Sequence, residues 1–322
     1  MSPDRNHMRV GAIDIGSNSI RLLVAELAED GTLTTVARAG EACRLGKGLD
    51  STGRIDPDVA DRAAQLVAEF VRRSRALGAR RLFTGATAAL RRALNGADVA
   101  TAIERRSGVP VRILSGEDEA GLVHGAVVHG LGPGAWRTPC VVFDLGGGST
   151  EVTSGLGLQL GRWTSLHFGA VTLTEKHLRH SPPEPAEIEA LEHEVAEAIM
   201  HQCAYMPRET PLLAGVGGTV TVLAALDRGL GAYDPTLLEG WTIPTDRLEQ
   251  WIARIVASTE PERQSWAVLG HGRSDIVAAG ALVVGSIARR FPSRGLVCST
   301  QGLRYGLART ALERGTDLQD RA

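Results

Sequence analysis

Short apolar runs broken by small polar turns dominate the first forty residues. "RVGAIDIG" and "IRLLVAEL" read as two strands around the turn "SNS", and "TLTTVARAGEACRL" continues in extended character. The period then changes. From Asp56 to Leu77 apolar residues return at helical spacing behind "RIDPD", which places Pro57 near a helix start. "RRLFTG" predicts a short strand, "ALRRALNGADVATAIERRSG" a helix, "VPVRILS" a strand, and Glu117 to about His129 a further helix. The loop "HGLGPGAWRTP" follows, rich in Gly and Pro.

The second half repeats this alternation. "CVVFDL", "STEVTSG" and "LQLGRWTSLHFG" predict strands, followed by helices at about 170–180 and 184–205, the strand "PLLAGV" and a helix from Gly217. Helices near 245–257 and 272–291, the strand "RGLVCS" and the helix "GLRYGLARTALERG" complete the pattern. Strands alternating with helices in both halves indicate an α/β protein. The glycine-rich loop suggests domains at 1–125 and 126–301, with the helix at about 302–314 returning to the first and the helix before the loop as the hinge. The halves also open alike. "AIDIGSNSIRLLVAEL" and "VFDLGGGSTEVTSGL" share the order apolar strand, Asp, apolar residue, Gly, small polar turn, apolar strand.

Composition narrows the picture. A chain of 322 residues exceeds the size at which one core usually divides. With 43% hydrophobic residues and a formal net charge of -2 there is no broad basic footprint for DNA or RNA, so an anionic ligand would be gripped by local groups. Cys43, Cys140, Cys203 and Cys298 are scattered without zinc or disulfide-scaffold spacing, which suits a reducing cytoplasm. No apolar run approaches the ~20 residues of a membrane span. The opening "MSPDRNHMRV" lacks the apolar core of a signal peptide, and a short disordered lead-in is expected, with Met8 as an alternative start.

The turns carry the candidate chemistry. Gly16, Ser17, Asn18 and Ser19 in one copy, and Gly146, Gly147, Gly148, Ser149 and Thr150 in the other, offer backbone N–H groups and hydroxyls that can line an anion site. The aspartate before each turn, Asp14 and Asp144, would repel a phosphate unless a divalent cation intervened; magnesium, which keeps several waters, is the natural choice, and Glu151 could share it. One such turn alone could be a loose hairpin with Asp as a turn cap. A third turn, in "LLAGVGGTVTVLAAL", passes from strand through Gly217 and Gly218 to a helix opening at Thr219, where free N–H groups favour an anion. Arg21, Arg44 and Lys47 either hold further phosphates or are solvated charges. His124, His129 and His271 show no metal-partner spacing and read as structural or surface residues.

"AIDIGSNS", "VFDLGGGSTEV" and "GVGGT" together resemble the phosphate motifs and nucleotide-site turn of the actin, sugar-kinase and heat-shock-chaperone superfamily. With "TGATAALRRALN", "ILSGEDEAGL" and "STQGLRYGL", the chain more narrowly resembles the exopolyphosphatase/guanosine-pentaphosphate phosphatase family from about Val10 to Leu307. The resemblance implies an α/β protein of two ribonuclease-H-like (actin-like ATPase) domains with an interdomain cleft. It also implies magnesium-dependent removal of a terminal phosphoryl group, with manganese as a substitute. On that pattern Glu119 matches the glutamate that activates water, Asp144 and Glu151 match cation-associated acids, Arg91 lines the phosphate path, and Asn18 with the turn glycines forms the cradle. Spacing alone does not separate Glu119 from Glu117 and Asp118, since all three suit a first helical turn. The resemblance selects it.

Three departures bear on the activity. The chain lacks the C-terminal helical domains of long members, so shorter polyphosphate chains are the expected substrate. Thr172 stands where the family pattern has an arginine, and "GSNS" lacks the lysine of a kinase-like phosphate loop. Polyphosphate is the first expected substrate and guanosine pentaphosphate the alternative. A kinase or a non-catalytic polyphosphate or nucleotide sensor is more remote. A homodimer is left open, and no nucleic-acid or membrane partner is expected.

Overall fold

A computed structural model describes residues 8–269 and 273–318. The lead-in Met1–His7 and His271 lie outside the described residues. In chain order the elements are β1 (Arg9–Ile15), β2 (Ser19–Leu27), β3 (Leu33–Ala42), α1 (Leu49–Thr52), α2 (Pro57–Ala76), β4 (Arg81–Ala86), α3 (Ala88–Arg92), α4 (Gly96–Ser107), β5 (Arg112–Ile113) and α5 (Gly116–Gly130). There follow β6 (Pro139–Leu145), β7 (Thr150–Leu156), β8 (Gln159–Leu166), α6 (Ala170–His177), α7 (Pro185–Gln202), β9 (Leu212–Gly217), α8 (Gly218–Asp227), α9 (Pro235–Leu238), β10 (Thr242–Pro244), α10 (Thr245–Ala257), α11 (Glu260–Gln264), α12 (Val277–Arg290) and β11 (Gly295–Cys298). The last are α13 (Leu303–Arg314) and β12 (Thr316–Asp317). Two compact units result: residues up to Ala126 together with those from Leu303 onward, and Val127–Gly302.

In the first unit the sheet runs β12-β4-β1-β2-β3, with β5 also on β4. β1 lies in its interior, and Val10, Ala12, Ile13 and Ile15 are fully buried. A strand covered on both faces reads as an apolar run rather than an alternation, and Asp14 is the polar break in it. Ile13, Ile15, Leu22 and Val24 face one layer with Val67, Phe70 and Val71 of α2. Val10, Ala12 and Leu23 face the other, with Leu307, Ala308 and Ala311 of α13. α2 starts where the sequence places it: Pro57 is its first residue, and the Asp56 side chain accepts from the N–H groups of Asp58 at 2.9 Å and Val59 at 3.3 Å.

The second unit's sheet runs β10-β11-β9-β6-β7-β8. β6 pairs antiparallel with β7 and parallel with β9, as β1 does with β2 and β4. The order β3-β2-β1-β4 in one unit therefore recurs as β8-β7-β6-β9 in the other, and the repeat seen in the turns extends to whole sheets. Phe143, Leu145, Leu223, Val283 and Ile287 belong to this unit's core.

The continuous helix expected over "ALRRALNGADVATAIERRSG" is instead two, α3 and α4. Asn95 makes the break. Its Oδ1 accepts from the Ile55 N–H at 2.9 Å and its Nδ2 donates to the Ile55 carbonyl at 2.9 Å. A side-chain pairing that satisfies both backbone groups of a distant residue outweighs local helix propensity.

Candidate functional site

Within each unit the candidate residues gather at one edge of the sheet. β1, β4 and β5 are parallel, so their C-terminal ends bring together the turn after Ile15, the start of α3 and the start of α5. β6, β9 and β11 do the same for the turn after Leu145, the start of α8 and residues 299–302. Open α/β sheets present their ligand sites at this edge.

The two turns are copies in detail. In both, the glycine N–H closes onto the carbonyl three residues on: Gly16 to Ser19 at 3.1 Å and Gly146 to Ser149 at 3.0 Å. Ser17, Asn18, Gly147 and Gly148 are exposed, while their flanking strands are buried. In the first unit the Asn18 carbonyl accepts from the N–H groups of Cys43 and Arg44, both at 2.9 Å, and the Ser17 carbonyl from Gly46 at 2.8 Å. In the second, the first turn of α6 plays this part: Ala170 donates to Gly146 at 3.0 Å, and Val171 and Thr172 donate to Gly147 at 2.9 and 3.1 Å. With the carbonyls tied back, the N–H groups of Ser17, Asn18, Gly147 and Gly148 have no hydrogen-bond partner among the described residues. Successive free N–H groups of this kind form an anion-binding concavity. The anchoring strains Arg44, whose φ is 54°, a conformation uncommon outside glycine.

The carboxylates differ between the copies. Asp144 on β6 is paired in register with Glu151 on β7, whose Oε1 accepts from Ser165 Oγ on β8 at 2.8 Å. Two like charges directly opposite each other are unfavourable alone, and a cation between them removes the conflict. Among the described residues no cluster of three or more His, Cys, Asp or Glu is placed to hold a metal by itself. A pair of carboxylates with water and phosphate oxygens completing the shell suits magnesium, which gives up its waters reluctantly. In the first unit the same register pairs Asp14 with Arg21. Asp14 Oδ1 is sealed from solvent without a hydrogen-bond partner. Burial pushes its carboxyl up to about 6, against the opposing pull of Arg21 and Arg304. Arg304, from α13, feels burial and the repulsion of Arg21 and Arg38, with Asp14 favouring its charge.

Glu119 lies in the first turn of α5 and accepts from Arg91 Nη1 at 3.1 Å, and Arg91 Nη1 also donates to the Leu114 carbonyl at 2.8 Å. The structure thus brings together two residues far apart in sequence. It also separates Glu119 from its neighbour. Asp118 is committed to the helix start: Ser115 Oγ donates to Asp118 Oδ2 and accepts from the Asp118 N–H, both at 3.0 Å.

The other residues that the sequence singled out range from buried to exposed positions. Thr150 is fully buried, and its hydroxyl donates to the Phe168 carbonyl at 2.8 Å, so strand alternation turns it away from the turn. Thr219 is buried too and packs on Gly280 of α12, where an added Cβ would lie only 2.2 Å from its Oγ1. Ser19 Oγ accepts from Arg21 Nε at 3.0 Å and orients that guanidinium. Gly217, at φ 116°, needs glycine for its backbone conformation. Gly218 lies beneath the guanidinium of Arg273, 3.3 Å from a built Cβ to the guanidinium carbon. Thr172 holds the start of α6, its Oγ1 accepting from the Gly169 N–H at 2.9 Å. His124 is fully buried, and His129 stacks edge-on with Trp136 at 5.7 Å. Arg44 and Lys47 are exposed. Arg273, Arg304 and Ser165 were not singled out by the sequence, since nothing local distinguishes them.

Two sheets of one connectivity, each with a strand–turn–strand whose turn carries free N–H groups, define an actin-like α/β protein. The comparisons agree. The Ppx/GppA phosphatase family model matches residues 23–314, and the chain belongs to that family. Exopolyphosphatase 2 of Mycobacterium tuberculosis is 33% identical over 297 residues, 89% of this chain and 92% of its own length. Exopolyphosphatase 1 of the same organism is 30% identical over 312 residues, 96% of this chain and 90% of its own. The crystal structure of the Aquifex aeolicus Ppx/GppA family member superimposes with a TM-score of 0.85 at 28% identity, covering 96% of this chain and 99% of that one.

Proposed function

We propose that the chain is an exopolyphosphatase that releases orthophosphate from the end of inorganic polyphosphate, with magnesium. The observation that carries this reading is the repeated turn: N–H groups without partners in both copies, one copy beside a carboxylate pair. The relatives named exopolyphosphatase support the substrate class.

The chemistry asked of the chain is positioning and charge neutralisation. The N–H groups of Ser17, Asn18, Gly147 and Gly148 hold phosphate oxygens. Asp144 and Glu151 hold magnesium, which when bound offsets charge on the phosphate oxygens. Glu119 accepts a proton from water as the water oxygen bonds to the terminal phosphorus. The bridging P–O bond breaks, and the shortened polyphosphate leaves with the electron pair. Arg91 holds the Glu119 carboxylate in place until then.

The test is phosphate release from polyphosphates of graded length, guanosine pentaphosphate and ATP, with magnesium or manganese varied. Polyphosphate is expected to give the highest kcat/KM, and release to require a divalent cation. Faster release from guanosine pentaphosphate at every polyphosphate length would replace this reading.

A further inference from the structure

Glu239 has no part in the chemistry above, yet it anchors a segment that borders Asp144. It follows α9 directly and is partly buried. Its Oε1 accepts from Ser299 Oγ at 2.8 Å, and its Oε2 accepts from the Thr300 N–H at 2.5 Å and from Thr300 Oγ1 at 2.6 Å. Hydrogen bonds to an ionised acceptor are among the stronger ones, and here three come from two consecutive residues. Ser299 is tied further: its N–H donates to the Gly215 carbonyl of β9 at 2.9 Å, and its Oγ accepts from the Gln301 N–H at 3.1 Å.

The next residue meets the candidate site. A Cβ built on Gly302 would lie 3.1 Å from Val216 Cγ1 and 3.9 Å from Asp144 Oδ2. The backbone at Gly302 therefore flanks the Asp144 carboxylate, and its position is set by the segment that Glu239 grips. Gly130, at the end of α5, abuts the grip from elsewhere in the chain. A Cβ there would stand 2.8 Å from Glu239 Oε1 and 2.7 Å from Gln301 Cδ.

We propose that Glu239 is a positioning residue for Asp144: it clamps residues 299–301 so that Gly302 supports the carboxylate's flank without covering it. The inference rests on the reading of Asp144 as a magnesium ligand. Outer partners of metal ligands are worth roughly 10–100-fold in metal affinity, and a contact through backbone belongs at the low end.

The experiment is calorimetric titration of the purified full chain with magnesium alone, alongside metal-free thermal unfolding, for Glu239→Ala, Glu239→Gln, Gly130→Ala and Asp144→Asn. Glu239→Ala is expected to weaken magnesium binding about tenfold. Glu239→Gln should restore most of it, since its amide oxygen can accept from Thr300 while its NH2 donates to Ser299 Oγ. Gly130→Ala should weaken binding while removing no polar group. If Glu239→Ala folds and binds magnesium like the parent while Asp144→Asn does not, the positioning role is wrong and the ligand reading stands. If Asp144→Asn also binds like the parent, both fall. Should Glu239→Ala not fold, parent-like affinity in Gly130→Ala overturns the proposal.

Discussion

Asp144 on β6 and Glu151 on β7 stand directly opposite each other, two carboxylates in register on one face of the second sheet. Like charges directly opposite each other on neighbouring strands repel, and a bound cation would offset that repulsion. Glu151→Gln is expected to reduce the rise in Tm on adding magnesium. Thermal unfolding with chelator and with millimolar magnesium measures the shift. An unchanged magnesium-induced shift would remove Glu151 from the cation site.

Glu119 and Arg91 form an ion pair that neither neighbouring acid of α5 shares in the same way. Glu119→Gln keeps the shape and loses the proton acceptor. Phosphate release should fall roughly 10²–10⁴-fold, with polyphosphate binding retained, as read by release kinetics beside an equilibrium binding assay. Turnover within a few-fold of the parent would assign the water to another residue.

The glycine turn of the second unit leans on the start of α6. A Cβ on Gly169 would lie 2.5 Å from the Gly146 carbonyl oxygen and from the Gly147 carbonyl carbon, both backbone atoms that cannot step aside. Gly169→Ala is expected to cost about 1–3 kcal/mol by overpacking and to weaken polyphosphate binding by displacing the free N–H groups. Gly134→Ala, where a Cβ meets nothing within 4 Å, is the control. Urea unfolding and the same binding assay separate the two.

Burial holds Asp14 at about 6 in the fold, above the ~3.9 of an unfolded aspartate. The native chain therefore binds this proton more tightly than the unfolded one. The stability it contributes is complete below about pH 4 and is lost as pH rises through about 6. In metal-free protein Asp14→Asn should flatten that part of the stability profile and gain on the parent near pH 7. Urea midpoints taken across this range in chelator would show it, and parallel profiles would count against the shift.

Much of the fold was readable because its signals are local. The strand, aspartate, glycine and polar turn order identifies β1–β2 and β6–β7 from a dozen residues each. The break at Asn95 was not readable, since its cause is the backbone of Ile55, forty positions earlier. Within the site, Asp118 and Glu119 look alike until Ser115 and Arg91 each claim one. Thr150 reads as an outward hydroxyl because a motif does not show which way its flanking strand faces. Arg304, Arg273 and Ser165 arrive by folding alone.

The first unit is assembled from both ends of the chain. β12 joins a sheet whose other strands lie before Ala126, α13 covers one face of it, and the whole of Val127–Gly302 is translated before either. During synthesis the second unit can therefore close on its own strands while the first still has one face of β1 open to water. Leu307, Ala308 and Ala311, all fully buried in the finished protein, seal that face, and Arg304 comes with them. Asp14 thus acquires one of its two arginines only after the whole of the second unit has been translated.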